Sequence, residues 1–448
     1  MNCNCAICKN NKPFTMPEDI VKATIEGNLV LFCGAGISTE NKMVMPYTLY
    51  SGIKNELGIS DSSISFSSLM QKYCAQPNGR RKLIRNIKER FDYIDSFPEL
   101  QNHATQFHKE LSYIYPIKTI ITTNWDTYFE DYCDAVPITT PEDFSLFDSD
   151  KRHVLKIHGS IDNLSTVVAT TDDYNQCFER LTKGVIGANL KTILSTKTVV
   201  FIGFSFGDDD FNQIMHYIRN EMGQYSPHFY IVTLDETLQK RIDYRNCTCI
   251  VTAGTHFLHQ LRLMLVDKGV IHDYTKTRAF IDEMMDSYRS LHIEISSINV
   301  IDYPCVVYTL VYQDGVLHAF ERFLNGNKNG EYCNPSFLFS SIDGYEKLIN
   351  QKETAHRYID QAYYEGYLNG LVLICGFEKD NTIAKNFPLL YLPGNKRIPK
   401  TFKTYYKHLQ KLSSENSVYL ELAKESIDHL LDQSKGDAKD IIIHHPPF

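Results

Sequence analysis

The chain has 448 residues, with an apolar fraction of 43% and a charged fraction of 22%, values typical of a globular protein with more than one domain. Its 54 acidic and 46 basic residues give a net charge of −8, which favours neither nucleic acid nor an anionic membrane as a partner. No apolar run reaches the ~18–20 residues that span a bilayer, and the polar amino terminus lacks a signal-peptide pattern. We therefore expect a cytoplasmic protein that binds neither membrane nor nucleic acid.

A cysteine cluster is the first feature along the chain. Cys3, Cys5 and Cys8 lie within six residues, and a tetrahedral zinc site would need a fourth ligand, for which the Cys247/Cys249 pair is one candidate. The alternative is a frayed terminus with reduced thiols, as expected of a chain without an export signal. Both interpretations stay open, and we expect no metal to be required for catalysis.

Six segments in the first 260 residues have the apolar, β-branched composition of buried strands. They alternate with helical patterns, an arrangement typical of a doubly wound, mostly parallel, Rossmann-like α/β sheet. The stretch between the first glycine turn and residue 101 is expected to be irregular, with a solvated helix face at 78–90. The predicted strands are 29–33, 117–122, "VLKIHGS" (154–160), "TKTVVFIGFSF" (196–206), "HFYIVTLDE" (228–236) and "CTCIVTAG" (247–254).

Glycine and polar residues follow these strands at their carboxyl ends, where parallel α/β sheets bind ligands. A glycine-rich turn that opens a helix offers N–H groups and a positive dipole end to a pyrophosphate, so a nucleotide is the expected ligand. Asp235 is expected either to bond an adenosine ribose hydroxyl or to cap a helix or turn. The residues concerned are Gly34, Ala35, Gly36, Ile37, Ser38, Asn124, Trp125, Asp126, His158, Gly203, Ser205 and Asp235.

The pattern of apolar and polar residues changes near residue 285. The segment "CVVYTLVYQDGVLHAFERFL" (305–324) alternates like a hairpin with a Gln-Asp-Gly turn, and "LVLICGFE" (371–378) is typical of a buried strand. Between them, 353–370 has the pattern of a Tyr-rich amphipathic helix. These patterns predict a second, smaller α+β domain without a recognised catalytic motif.

Four motifs in the first part of the chain occur in an informative order: "GAGIS" (34–38), "TTNWD" (122–126), "HGS" (158–160) and "GFS" (203–205). Together they resemble the sirtuin family of NAD-consuming enzymes over residues 18–268. The resemblance implies that the glycine turn and Gly203–Ser205 bind NAD, that Asn124–Asp126 surround the nicotinamide ribose, and that His158 acts as general base. An unperturbed imidazole pKa near ~6.5 would suit that role at neutral pH.

The departures from sirtuins bear on the reaction. Protein-deacylating sirtuins carry a zinc ribbon of two Cys-x-x-Cys pairs after the His-Gly motif, whereas residues 161–199 contain only Cys177. Without the ribbon, a groove for an acyl-lysine peptide is not expected. Water becomes the expected nucleophile, and the reaction is hydrolysis of NAD, as substrate, to nicotinamide and ADP-ribose. The alternatives are a protein deacylase or ADP-ribosyltransferase, and a non-catalytic sensor of NAD or ADP-ribose.

The combination of a ribbon-less sirtuin-like domain with a companion domain looks like the NAD-depleting effectors of bacterial anti-phage defence, of the Thoeris type or paired with HerA-type ATPases. That resemblance implies abortive infection by NAD depletion in a homo-oligomer, switched on by a HerA-type ATPase or by a phage-derived or nucleotide signal. The expected organisation is a cysteine-bearing segment (1–17), a catalytic domain (18–268), a linker or helix (269–284) and an α+β domain for regulation, oligomerisation or partner binding (285–448).

Overall fold

The computed structural model describes residues 5–61, 63–204, 220, 222–223, 228–241, 246–376, 387–394, 399 and 401–433. The chain divides into two compact units. One comprises Met1–Ile271 with Lys328–Gly330, and the other comprises His272–Asn327 with Glu331–Phe448. Within the described ranges, no helix combines the length and apolar character that crossing a membrane requires.

The first unit is built on a seven-stranded sheet in which all neighbouring strands are parallel. Their order across the sheet is β3-β4-β2-β1-β5-β6-β7, so the direction of winding reverses between β1 and β5, the point where α/β sheets of this kind bind ligands. The doubly wound parallel sheet is confirmed, and β3 is a short edge strand that the sequence analysis missed. The strands are β1 (Leu29–Cys33), β2 (Thr119–Thr122), β3 (Val136–Ile138), β4 (His153–Lys156), β5 (Thr198–Ile202), β6 (Phe229–Thr233) and β7 (Cys247–Val251).

Strand β1 is buried along its whole length, as expected of a central parallel strand covered by helices on both faces. Phe32 stacks on Phe201 of β5 with ring centroids 5.1 Å apart. Cys33 is fully buried, and burial raises the pKa of its thiol well above the usual value. Cys33 is therefore a packing residue of the sheet.

Helices connect the strands of the first unit. Helices α3 to α6 fill most of a stretch that was expected to be irregular up to residue 101, and that expectation is wrong. The reason is a small separate core, in which Leu69 and Tyr73 of α4 pack around Leu83 and Ile87 of α5. The helices are α1 (Ala6–Lys9), α2 (Glu18–Ile25), α3 (Leu49–Glu56), α4 (Phe66–Cys74), α5 (Gly79–Ser96), α6 (Pro98–Ser112), α7 (Tyr128–Cys133), α8 (Thr171–Lys183), α9 (Val185–Thr196), α10 (Leu238–Arg241) and α11 (Gly254–Asp267).

All the regular secondary structure described in the second unit is helical, so the predicted α+β character of residues 285–448 is wrong there. The segment expected to form a hairpin is helix α13, and residues 371–376, expected to form a strand, end helix α15. Residues 377–378 of that segment lie outside the described residues. The helices are α12 (Tyr274–Ser296), α13 (Val306–Asn325), α14 (Pro335–Thr354), α15 (Tyr358–Gly376), α16 (Phe402–Ser414) and α17 (Val418–Gln433).

A close crossing of α13 and α15 explains why the apolar, β-branched segment is helical. A Cβ on Gly315 would lie 2.2 Å from the Tyr363 carbonyl oxygen, and a Cβ on Gly366 would lie 2.0 Å from the Tyr312 carbonyl oxygen. The two glycines let the helix backbones approach, and buried tyrosines fill the space around them. Each tyrosine also needs a partner for its hydroxyl, and Tyr312 Oη donates to the Pro388 carbonyl at 2.9 Å.

We predict that Gly366→Ala destabilises the second unit by about 1–3 kcal/mol or more, because overpacking at a close helix crossing displaces the backbone. Gly344→Ala on α14 is the matched control, since a Cβ there meets nothing within 4 Å and alanine favours a helix by about 1 kcal/mol over glycine. Thermal unfolding followed by circular dichroism measures both variants. Equal melting temperatures for the two variants would contradict the assignment of a close crossing.

Candidate functional site

The predicted site residues follow strands whose carboxyl ends lie at one level. In the sheet register Cys33 pairs with Thr122 on one side and with Ile202 on the other, and Thr122 pairs with Lys156. The glycine turn after β1, the Asn124–Asp126 segment after β2, His158 after β4 and Gly203 after β5 therefore emerge at the same edge of the sheet. This edge includes the switch point between β1 and β5.

The glycine turn is bonded directly to the end of β5. Gly34 N–H donates to the Ile202 carbonyl at 2.8 Å, and Gly36 N–H donates to the Gly203 carbonyl at 3.0 Å. A Cβ on Gly34 or Gly36 would lie 2.7 or 2.8 Å from the Gly203 oxygen, and Gly203 itself has φ +80°. The three glycines thus let two turns interlock across the switch point.

The turn does not open a regular helix, contrary to the sequence prediction. Only a three-residue 3₁₀ helix, Ala35–Ile37, follows β1, and Ser38 leaves helical geometry with φ −136° and ψ −100°. The N–H groups of Ile37 and Ser38 donate to the Gly34 and Ala35 carbonyls. Since four of the turn's five N–H groups already have acceptors, a helix dipole is not its means of binding an anion. What the turn offers a ligand is the exposed, side-chain-free surface of Gly36.

Three buried polar side chains meet beside this turn. Ser38 Oγ donates to Asp126 Oδ2 at 3.0 Å, and Asn124 Nδ2 donates to Ser38 Oγ at 3.3 Å. Asn124 is only 4% exposed, yet its Oδ1 accepts no hydrogen bond within the described part of the chain. A buried acceptor of this kind costs free energy unless a ligand or water satisfies it.

Lys156, which the sequence analysis did not select, lies under this cluster. Its side chain is fully buried, and Nζ donates to the Asp126 carbonyl at 2.5 Å and to Glu130 Oε1 at 2.8 Å. Burial raises the pKa of both the Asp126 and the Glu130 carboxyls, and the Lys156 cation opposes that rise. A lone lysine inside the apolar run "VLKI" was the available signal, because buried lysines occur almost only when paired.

Trp125 faces a different environment from its two neighbours in the motif. Its indole contacts Phe66 of α4 at a centroid distance of 6.4 Å and packs against the core of the α3–α5 helices. Its carbonyl accepts from Ile161 N–H at 2.9 Å. Nε1 is buried without an acceptor among the described residues. Trp125 thus links the motif to the helical layer, and a contact with the cofactor stays a prediction.

His158 is almost fully buried at the end of β4. Its ring makes an edge-to-face contact with Tyr174 at 5.1 Å between centroids, and its carbonyl accepts from Val168 N–H at 3.0 Å. Burial, with a smaller contribution from the Arg180 cation, lowers the pKa of the imidazole to about 3. The expectation of an unperturbed pKa is therefore wrong, and the ring is neutral at physiological pH.

Arg90, from the predicted solvated face of α5, is instead buried beneath the chain that follows the glycine turn. Its guanidinium donates to the Thr39 carbonyl at 2.9 Å and pairs with Glu40 at 3.2 Å. It also lies over the Tyr47 ring, 5.7 Å from the centroid. Arg90 therefore holds in place the chain that leaves the turn, a role that no motif in the sequence indicates.

The remaining predicted residues are placed as follows. Asp235 Oδ1 accepts from Thr237 N–H at 2.9 Å and from Thr237 Oγ1 at 2.7 Å, which is the turn-capping alternative; ribose recognition stays a prediction. Ser205 lies outside the described residues. Where sirtuins carry the zinc ribbon, this chain has helices α8 and α9, and Cys177 is buried with Sγ donating to the Ile157 carbonyl at 3.2 Å.

The fold is a doubly wound parallel α/β sheet, a class in which ligands bind at the switch point where these polar groups lie. Residues 118–250 match the family profile described as "SIR2-like domain". This part of the chain is therefore similar to a SIR2-like domain, and the resemblance to sirtuins stated from the sequence is confirmed.

Curated relatives are similar to just under half of the chain. The NAD(+) hydrolase ThsA of Cytobacillus dafuensis is 30% identical over 214 residues, covering 46% of this chain and 41% of the relative. ThsA of Enterococcus faecium is 29% identical over 213 residues, 44% of this chain and 41% of the relative. Defense-associated sirtuin 2 of Bacillus subtilis is 26% identical over 212 residues, 45% of this chain and 20% of the relative. The aligned part thus spans about two fifths of each ThsA relative.

We predict that Gly203→Ala loosens the joined ends of β1 and β5. Alanine at this positive φ costs about 1–2 kcal/mol of backbone strain, and the clash of its Cβ with the glycine turn adds about 1–3 kcal/mol. Gly27→Ala is the matched control: Gly27 has φ +66° but nothing within 4 Å of the added Cβ, so that variant carries the strain alone. Amide hydrogen exchange of peptides covering 29–38 and 198–203 should rise in Gly203→Ala and stay unchanged in Gly27→Ala. Equal exchange in the two variants would refute the interlock.

Proposed function

We propose that the SIR2-like domain hydrolyses NAD⁺ at the bond between nicotinamide and ribose. The observation that carries the proposal is Asn124: a buried amide, fixed through Ser38 to Asp126 at the switch point, whose oxygen still needs a donor. A ribose hydroxyl or a water molecule supplies that donor. Similarity to proteins named NAD(+) hydrolase supports NAD⁺ as the ligand.

The chemistry needs little from the enzyme beyond orientation and a nucleophile. The C1′–N bond breaks with its electron pair going to nicotinamide, which leaves neutral, while C1′ develops oxocarbenium character. Water adds its oxygen to C1′ and loses one proton, so that NAD⁺ and water give nicotinamide, ADP-ribose and H⁺. In this scheme Asn124 Oδ1 orients the ribose or the attacking water, and the carboxylate of Asp126 stabilises the positive charge on the sugar.

His158 enters this scheme as a neutral acceptor. A buried imidazole with a pKa of about 3 accepts a hydrogen bond from a ribose hydroxyl without first losing a proton. It is a weak base in that state. Binding of NAD⁺ brings two phosphate charges, which favour the imidazolium and raise the pKa. We therefore assign His158 the role of general base only in the NAD⁺ complex.

Water is favoured over an acyl-lysine as the second substrate because helices α8 and α9 follow the His-Gly motif where deacylating sirtuins carry their ribbon. We further propose that NAD⁺ depletion serves anti-phage defence in the cytoplasm, in keeping with relatives named ThsA and Defense-associated sirtuin 2. An uncontrolled NAD⁺ hydrolase would harm its own cell. We therefore assign control, by oligomerisation or by a partner such as an ATPase or a nucleotide signal, to the helical second unit.

The proposal predicts that NAD⁺, without an acylated peptide, gives nicotinamide and ADP-ribose once a candidate activator is present. Asn124→Ala should lower kcat about 10²–10⁴-fold, the range for loss of a positioned polar group in catalysis. Asn102→Ala, at an exposed position on α6, should leave kcat unchanged. Chromatographic quantification of both products measures the rates.

Two outcomes would replace the hydrolase. Turnover that appears only with an acylated peptide would establish a deacylase. Tight NAD⁺ binding by calorimetry, without product under any activator, would establish a sensor. Equal activity of Asn124→Ala and Asn102→Ala would remove Asn124 from the mechanism.

The buried state of His158 predicts an unusual pH profile. Because its pKa is lowered to about 3 in the free protein, kcat/KM should stay flat from pH 7.5 to about pH 5, whereas an unperturbed histidine would reduce it about 30-fold at pH 5. The acid limb of kcat should lie at higher pH, since kcat reports the NAD⁺ complex. A kcat/KM limb near pH 6.5 that vanishes in His158→Asn would contradict the buried, neutral state.

The same shift has a consequence for stability. His158 takes up a proton on unfolding at any pH between about 3 and 6.5, so the folded state is favoured above pH 6.5 and loses that contribution as the pH falls. Circular dichroism at pH 5 is therefore the necessary check that the protein is still folded when its kinetics are measured.

A further inference from the structure

Two amino-terminal cysteines lie close to a histidine that is about 250 residues away in the sequence. The short helix α1 places Cys5 and Cys8 close together, and His259 of α11 approaches both. Cys5 Sγ lies 3.3 Å from His259 Nε2, and the ligating atoms of all three residues lie within 4.8 Å of one another. We propose that Cys5, Cys8 and His259 supply three of the four ligands of a structural zinc ion.

The donor set and spacing fit zinc. Thiolate sulfur and imidazole nitrogen are the ligands of structural zinc sites, and a soft set of this kind disfavours magnesium and calcium. With Zn–S near 2.3 Å and Zn–N near 2.0–2.1 Å, neighbouring ligands of a tetrahedron lie about 3.6 Å apart. The 3.3 Å between Cys5 Sγ and His259 Nε2 is therefore close to the spacing of a loaded site.

The groups behind the three ligands are those that a zinc site needs. His259 Nδ1 lies 3.3 Å from Glu110 Oε2 and 3.3 Å from Arg262 Nη2. In the tautomer whose Nδ1–H donates to the carboxylate, Nε2 is left to bind metal. Glu110 is itself held by Arg262 Nε at 3.0 Å. Gln260 Nε2 donates to Cys8 Sγ at 3.1 Å, which favours the thiolate.

The site would attach the amino-terminal segment to α11. Phe14 packs on the same helix, against His256 and Phe257 with ring centroids 5.4 and 6.1 Å away, so the segment already lies along it. The Cys247/Cys249 pair, considered as a source of the fourth ligand, is not part of the cluster. Cys3 lies outside the described residues.

Metal analysis of the full chain tests the proposal independently of NAD⁺ turnover. Protein purified with a non-chelating reductant from zinc-supplemented medium should hold about one zinc per chain, and Cys5→Ser, Cys8→Ser and His259→Gln should each lower the zinc content at least tenfold. Cys74→Ser, which changes a partly buried cysteine of α4, is the control and should retain zinc.

Cobalt replacement provides a second measurement on the wild-type chain. After a chelator has removed zinc, the protein loaded with Co²⁺ should show thiolate charge-transfer and tetrahedral d–d absorption bands. This measurement does not depend on the correct folding of a variant. Absence of zinc together with absence of those bands would overturn the proposal. It would also be overturned by a Cys5–Cys8 disulfide found by mass spectrometry in the freshly purified protein, or by zinc content that is equal in Cys8→Ser and Cys74→Ser.

Discussion

Two backbone hydrogen bonds, from Gly34 N–H to the Ile202 carbonyl and from Gly36 N–H to the Gly203 carbonyl, hold the carboxyl edge of the sheet together. They join the two halves of the doubly wound sheet where their winding directions diverge. Three polar residues of the candidate site are placed by that joint: Ser38 follows directly from the turn, and its side chain is hydrogen-bonded to Asn124 and Asp126. The glycines serve this joint, and contact with a ligand stays a prediction.

The buried ammonium group of Lys156 lies directly behind the Asn124–Asp126 segment. Lys156 has no exposed surface, and a lysine in that position is tolerated only because Glu130 and the Asp126 carbonyl share its ammonium group. Removing one partner of such a pair leaves an uncompensated charge, which is far more costly than never having buried the pair. The arrangement therefore fixes the backbone of the Asn-x-Asp motif from below, while Ser38 fixes its side chains from the other side.

The sequence predicts the fold correctly where the local pattern of apolar and polar residues matches the position of a segment in the sheet. Six of the seven strands and the convergence of four motifs at one edge followed from apolar runs ending in polar residues. The prediction of a hairpin over 305–324 was wrong because a β-branched run is compatible with a buried helix as well as with a strand. The contact that favours the helix is made by glycines and residues some 50 positions apart in the sequence. The low pKa of His158 and the contact of Cys5 with His259 could not be predicted for the same reason. Burial and contacts with distant residues leave no pattern in the local sequence.

The docking of α1 on α11 has a consequence for biosynthesis. The partners of Cys5 and Cys8 are separated from them by 254 and 252 residues, so α1 can dock only after α11 has been synthesised. Before then, Cys5 lacks its contact with His259 and Cys8 its contact with Gln260. The docking of α1 therefore joins two helices of the first unit that lie far apart in the sequence, and it depends on the order in which they are made.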